Sequence, residues 1–214
     1  VFGYTQEDGL QLLLIKRKIK PHKGQWALPG GFVLENESLE DAVERELSEE
    51  SGVKINFLEQ LYTFGETGRD PRGHIVSVAY FGLVRASDFK LHASTDAEAV
   101  EWFGLDKLPE LAFDHENIIK VAFKRLKAKL AYEPIGFELL NKKFPFSDLE
   151  QLYSAVLERP VDRRNFKKKI MSYGFITQLD EKQELKGAGR PGSLYQFDKK
   201  SYFIHKDDGF HLDL

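Results

Sequence analysis

Cysteine is absent from the 214 residues. Disulfides, thiol nucleophiles and thiolate-bound zinc are thereby excluded, and the composition suits a reducing cytoplasm. No apolar run approaches the roughly 18 residues that a membrane span needs; Leu12–Ile15 is no longer than part of a strand. A signal-peptide pattern is missing too. So is an initiator methionine, the single Met being Met171. Val1–Tyr4 reads as the tail of a strand, so the first strand is expected to be truncated. The histidines at 22, 74, 92, 115, 205 and 211 lack metal-ligand spacing, and no Ser-His-Asp set can be argued. Charge of one sign is not in large excess. The net value is −3, with 17 basic and 21 acidic residues in 1–131 and 14 basic and 13 acidic in 132–214.

What is present is an ordinary globular mix, 42% hydrophobic and 30% charged, with 17 Phe and 8 Tyr for a core. Leu10–Arg17 reads as a buried strand, and Trp26–Phe32 as a short one that breaks at a glycine pair. Ser38 caps a predicted helix to Ser51, with Asp41 completing an approximate capping box and Gly52 ending it. Val43 and Leu47, with Leu39 and Ala42, form its core side. Leu58–Gly65, Ile75–Val84 and Val100–Phe103 read as strands, and Asp114–Leu130 as an amphipathic helix. Strands interleaved with helices predict a mixed α/β domain over 1–131.

Ala131–Pro134 is the expected joint, and 132–214 follows another grammar. Ser147–Glu150 reads as a capping box opening a helix to about Leu157. Asp162 caps a second helix, Arg163–Ser172, ended by Gly174. Phe175–Thr177 and Ser193–Phe197 are strand-like. Helix, turn, helix and hairpin is the order of a winged helix-turn-helix.

The chemistry concentrates in 31–53. Glu46, Glu49 and Glu50 stand at i, i+3 and i+4, so their carboxylates share one helix face. Their repulsion is offset if a hard cation sits among them, and Mg²⁺ (or Mn²⁺) suits oxygen ligands. Glu37 and Arg45 are placed to orient those carboxylates. Gly30 and Gly31 let the backbone approach a metal and a phosphate.

The spacing Gly31, Glu37, Arg45-Glu46-Leu47, Glu49-Glu50, Gly52-Val53 resembles the Nudix box at every fixed position. The resemblance implies an α/β/α sandwich with a mixed sheet and attack of water on a pyrophosphate. It implies Glu46 and Glu50 as direct metal ligands, Glu49 as ligand or water-holder, and the Gly30 carbonyl as a further ligand. For the general base, Glu98 and Glu101 are candidates, with an ordinary surface role as the alternative. Arg69, Asp70 and Arg72, in a Gly/Pro loop, suit a second phosphate or a ribose diol; Arg17 is grouped with them as ligand-binding. Together with Trp26–Gly31 and Leu111–His115, that loop resembles the Nudix-related transcriptional regulators of the NrtR and AraR type. In these a Nudix domain precedes a winged helix, and some members respond to ADP-ribose or a sugar.

Arg159–Ile170 carries six basic residues and one acid. Phe166, Ile170 and Tyr173 are spaced for a buried face, leaving Arg163, Arg164, Lys167 and Lys168 for solvent and for double-stranded DNA. Lys186 and Arg190, in a glycine-rich turn, suit a wing on phosphates or the minor groove. A solvated basic face or a protein-binding winged helix is the alternative. One small module binds DNA weakly, so a homodimer on a palindrome is expected. The reading is therefore a Mg²⁺-dependent hydrolase of a nucleoside diphosphate sugar, ADP-ribose-like, coupled to DNA binding. The alternative is a regulator whose Nudix domain senses the ligand without hydrolysis.

Overall fold

The computed structural model describes residues 1–55, 57–92, 97–183 and 191–205, with residues 204 and 205 described by backbone alone. The chain divides into two compact units, Val1–Arg125 and Leu126–Leu214.

The first unit is built on β1 (Phe2–Thr5), β2 (Gly9–Arg17), β3 (Trp26–Ala27), β4 (Phe57–Phe64), β5 (Ser77–Arg85) and β6 (Ala97–Gly104). Their order is β3-β2-β1-β5-β4, with β6 along the other side of β2. Strand β1 runs antiparallel to β2 and parallel to β5, so the sheet is mixed. The run Leu12–Ile15 is buried on both faces because β2 lies inside the sheet. Leu13 and Ile15 pack in one core with Ala27, Leu47, Val53, Val84 and Val100. Leu47 is the contribution of helix α1 (Leu39–Ser51), which is thereby fixed against the sheet.

Helix α1 starts where Ser38 accepts the Asp41 N–H and the Asp41 side chain returns a bond to the Ser38 backbone. It stops at Gly52, whose φ of 73° suits a residue without a Cβ. Ala42 and Leu47 face inward, but Leu39 does not: it is 38% exposed. As the first helical residue it precedes the stripe that meets the sheet. The strand expected at Trp26–Phe32 is only two residues long, because β3 pairs with β2 only at Trp26 and Ala27.

Helix α2 (His115–Lys129) contains the division between the units. The sequence places the joint later, at Ala131–Pro134. Leu130 already belongs with the second core: a Cβ at Gly136 would lie 3.0 Å from its side chain.

In the second unit, β7 (Lys143–Pro145) precedes α3 (Phe146–Leu157), α4 (Arg163–Ser172), β8 (Ile176–Lys182), β9 (Ser193–Phe197) and α5 (Lys199–His205). The sheet order is β7-β9-β8. Strand β7 and helix α5 are absent from the sequence reading. Helix α3 also starts earlier than expected. Its N-cap position is Pro145, without a side-chain cap bond, and the Ser147 hydroxyl turns to Asp148 instead. Pairing of Pro145 with β9 and burial of Phe146 set that start. Asp162 does cap α4, accepting the Asn165 N–H at 2.7 Å. Phe166 and Ile170 turn inward from α4, where Phe166 meets Phe146 and Tyr153. Among the described residues, no helix is long and apolar enough to cross a membrane.

Candidate functional site

The glycine loop and α1 meet in the first unit. A Cβ on Gly31 would lie 2.1 Å from Glu46 Oε1, far inside contact distance. Only glycine leaves the backbone that close to the carboxylate. Gly30, at φ 150°, donates its N–H to Glu50 Oε2 at 2.9 Å. Two carboxylates from adjacent turns thus stand directly over the loop.

Arg45 staples this arrangement. It donates Nε and Nη2 to Glu37 at 2.9 and 2.6 Å, Nη1 to Glu46 Oε1 at 2.8 Å, and Nη2 to the Phe32 carbonyl at 3.2 Å. Glu37 also accepts the Leu34 N–H at 2.8 Å. The Arg45 bonds, with the Leu34 N–H, hold the Glu37 carboxyl at about 2. The reciprocal bonds raise Arg45 further above its ordinary value.

Glu49 is different. Its side chain is 62% exposed and touches Arg45 only at 3.5 Å. Among the described residues, no group of three or more acids or histidines is gathered closely enough to hold a metal. Glu46 and Glu50 nevertheless offer hard oxygen donors beside a backbone cradle, a set that fits a divalent cation.

The ligand-binding residues expected from the sequence part company. Arg69 is spent inside the fold: its side chain is 6% exposed. Its Nε and Nη2 bind Asp114 at 2.9 and 2.6 Å, and Nη1 donates to Ser77 Oγ at 2.6 Å. It braces the loop against the start of α2, and this corrects its assignment to ligand. Asp70 is buried and takes Arg72 through both oxygens, at 2.7–3.2 Å, together with the Arg72 N–H. Arg72 thereby lowers the Asp70 carboxyl to about 2.

Arg72 and Arg17 approach the same ring, Phe113, at 5.6 and 4.9 Å, and Arg72 also lies over Phe32 at 5.4 Å. Arg17 Nε donates to the Pro21 carbonyl at 2.9 Å. Burial, then repulsion by Arg72, lowers the Arg17 pKa, so a nearby anion favours its charged form. Beside this pair opens a cleft of about 650 Å³ lined by Lys20, Pro21, His22, Lys23, Pro71 and Arg72.

Phe113 and His115 belong to the Leu111–His115 run quoted above, whereas His22 and Phe32, which also border the arginine pair, are not singled out by the sequence. The His22 and Phe113 rings meet at 4.5 Å, and both residues hold left-handed backbone, φ 59° and 55°. The left-handed backbone at these two positions carries no sequence signal. His115 Nδ1 accepts the Leu28 N–H at 2.9 Å, so it is unprotonated and the neutral ring carries its proton on Nε2. Burial draws its pKa down to about 4. Its bond, with Ala112 N–H to the Trp26 carbonyl at 2.7 Å, anchors the strand entering the glycine loop.

Glu98 does not join the box. It pairs with Lys16 at 3.3 Å and is 54% exposed. Lys16 follows Ile15, which packs with Leu47 of α1, so by alternation it starts from the face of β2 away from that helix, and the pairing draws Glu98 to the surface. Glu101, opposite Leu14 on β6, is exposed as well.

In the second unit, Arg163, Arg164, Lys167, Lys168 and Met171 line a shallow hollow of about 540 Å³. Arg163 is ion-paired with Glu150 at 3.4 Å. Arg164 and Lys168 are exposed. Lys167 is not the free solvent cation expected: its Nζ donates to Tyr195 Oη at 2.7 Å, near the Phe146 and Tyr195 rings. Lys186 and Arg190 lie outside the described residues.

A mixed-sheet unit with a filled glycine–carboxylate box, followed by a winged helix, defines the class, and the comparisons agree. Residues 1–123 match the NUDIX domain and residues 136–197 the NrtR DNA-binding winged helix domain. The chain belongs to the Nudix family, in the branch that carries an NrtR-type winged helix. It is 34% identical over 207 residues to the ADPR responsive transcriptional repressor NtrR of Acinetobacter baylyi, covering 94% of this chain and 81% of that protein. It is 46% identical over 120 residues to the ADP-ribose pyrophosphatase of Methanocaldococcus jannaschii, covering 56% and 69%. Shewanella oneidensis NrtR, crystallised with a 27mer DNA, superposes with a TM-score of 0.77 at 31% identity, covering 94% of this chain and 91% of that one. Divalent metal use is general among Nudix hydrolases.

Proposed function

We propose that the first unit hydrolyses ADP-ribose or a close nucleoside diphosphate sugar with Mg²⁺ or Mn²⁺, and that the second binds double-stranded DNA. The observation that carries the enzymatic half is the Gly31–Glu46 approach: the loop brings its backbone directly against the Glu46 and Glu50 carboxylates. Glu46 and Glu50 would hold the cation, with Glu49 and the Gly30 carbonyl completing the set. When bound, such an ion neutralises phosphate oxygens and acidifies water. Arg45, fixed by Glu37, orients Glu46. Glu49, the box carboxylate least engaged, accepts the proton of the attacking water. Arg17 and Arg72 hold the diphosphate, and Phe113 and Phe32 keep those guanidiniums in place. Water adds to one phosphorus and the bridging oxygen leaves with the other, so ADP-ribose yields AMP and ribose 5-phosphate.

The names of the M. jannaschii and A. baylyi relatives support ADP-ribose as substrate or effector. The DNA complex of the S. oneidensis protein supports the second half. A homodimer in the cytoplasm is the form this reading requires, since a palindrome presents two half-sites.

A second reading, ligand sensing without turnover, is favoured by Arg45 covering Glu46 and by the outward Glu49. Incubation with Mg²⁺ and ADP-ribose separates the two. AMP release, abolished in Glu46→Gln and Glu50→Gln, is the expected result. Tight binding with no AMP establishes the sensor.

A further inference from the structure

Lys167 sits on α4 among cations that the DNA-binding reading assigns to phosphates. Its surroundings are those of an internal strut. The ammonium lies 5.5 Å from the Phe146 ring centre and 5.0 Å from that of Tyr195, and donates to Tyr195 Oη at 2.7 Å. Tyr195 is 3% exposed, yet its hydroxyl is fully used: it accepts from Lys167 and donates to Gln178 Oε1 at 3.1 Å. Gln178 Nε2 reaches Ser193 Oγ at 3.3 Å, which also receives Lys182 Nζ at 2.9 Å. One polar chain therefore runs from α4 through the middle strand, β9, into β8. Tyr195, like the next residue Gln196, is a position at which β9 pairs with both neighbours, here Phe144 on β7 and Gln178 on β8.

A surface cation awaiting a phosphate needs no such partner. An ammonium drawn over two rings and onto a buried hydroxyl gives up part of its hydration and gains a fixed position. We propose that Lys167 and Tyr195 are positioning residues, which set the β8–β9 hairpin relative to the DNA-facing helix, and that Arg164 and Lys168 bind the phosphates. This rests on the DNA-binding reading above.

The salt dependence of binding distinguishes a strut from a phosphate ligand. Removing a cation that neutralises one phosphate reduces the slope of log K against log salt by about 0.9. Removing a strut changes affinity and leaves the slope alone. The test uses the full chain and a pool of random 27-base-pair duplexes, titrated at several salt concentrations.

Arg164→Ala and Lys168→Ala are each expected to flatten the slope by about one. Lys167→Met and Tyr195→Phe are each expected to weaken binding about threefold to tenfold at unchanged slope. The double variant should bind no more weakly than the poorer single one, because both remove the same link. Selection from the same pool should recover a broader consensus with Tyr195→Phe than with the unaltered chain. Circular dichroism at the assay temperature keeps misfolding apart from a displaced hairpin.

A fall in slope of about one in Lys167→Met, or unaltered binding by Tyr195→Phe, overturns the strut. So do additive effects in the double variant. If the unaltered chain binds no duplex at all, the DNA-binding reading itself fails, a result distinct from the others.

Discussion

At the scale of single residues, position 31 admits no side chain unless the Glu46 carboxylate moves. Gly31→Ala would drive a methyl group into Glu46, so the chain should fold while AMP release from ADP-ribose falls about 100-fold, the order expected from a misplaced catalytic group. Arg69 has a different duty. Arg69→Ala leaves Asp114 without its bidentate partner, and a destabilisation of about 3 kcal/mol in denaturant unfolding is expected. The contrast shows what a sequence discloses about a site. Glu37, Arg45, Glu46 and Glu50 are legible because their partners lie within one loop and one helix, at spacings that geometry dictates. Arg69 and Arg72 look equivalent in sequence. Their fates differ because Arg69 meets an acid 45 positions later and Arg72 one only two positions earlier. Lys167 passes for a solvent cation in the sequence for the same reason, its acceptor lying 28 positions away.

At the scale of elements, caps are readable and partners are not. Ser38 and Asp162 cap their helices through bonds three residues long. Strand β7 has no local signature because three residues form a strand only when β9 arrives to pair with them. Asp162→Ala should destabilise the second unit by about 1 kcal/mol, read as a lower midpoint in urea. Helix α2 carries a pH prediction at its first turn. Burial lowers His115 from 6.5 to about 4, so the unfolded chain binds its proton first. The stability it contributes is complete above about pH 6.5 and is lost as pH falls toward 4. His115→Asn keeps an acceptor for Leu28 and removes the titration. Melting temperature between pH 6.5 and 4 should then fall less steeply than in the unaltered chain. Glu37 and Asp70, both held at about 2, act lower down: their contribution is present above the ordinary carboxylate range and disappears as pH approaches 2.

For the molecule as a whole, one chain joins a Nudix domain to a winged helix, and linkage then imposes symmetry. Whatever factor ADP-ribose applies to DNA affinity, DNA must apply to ADP-ribose affinity. Glu50→Gln, expected to bind without turnover, allows both factors to be measured by calorimetry. Unequal factors would show that residual turnover keeps the measurement away from equilibrium. The bracing around Leu28 also bears on synthesis. The glycine loop is held from the far end of its own domain: Leu28 by His115, Trp26 by Leu111 and Ala112, and the Arg69 loop by Asp114. A nascent chain leaving the ribosome therefore owns every box residue long before it owns a working box. Competence arrives only when residue 115 emerges, and the helix that begins there is the same one that leads into the winged helix still being translated.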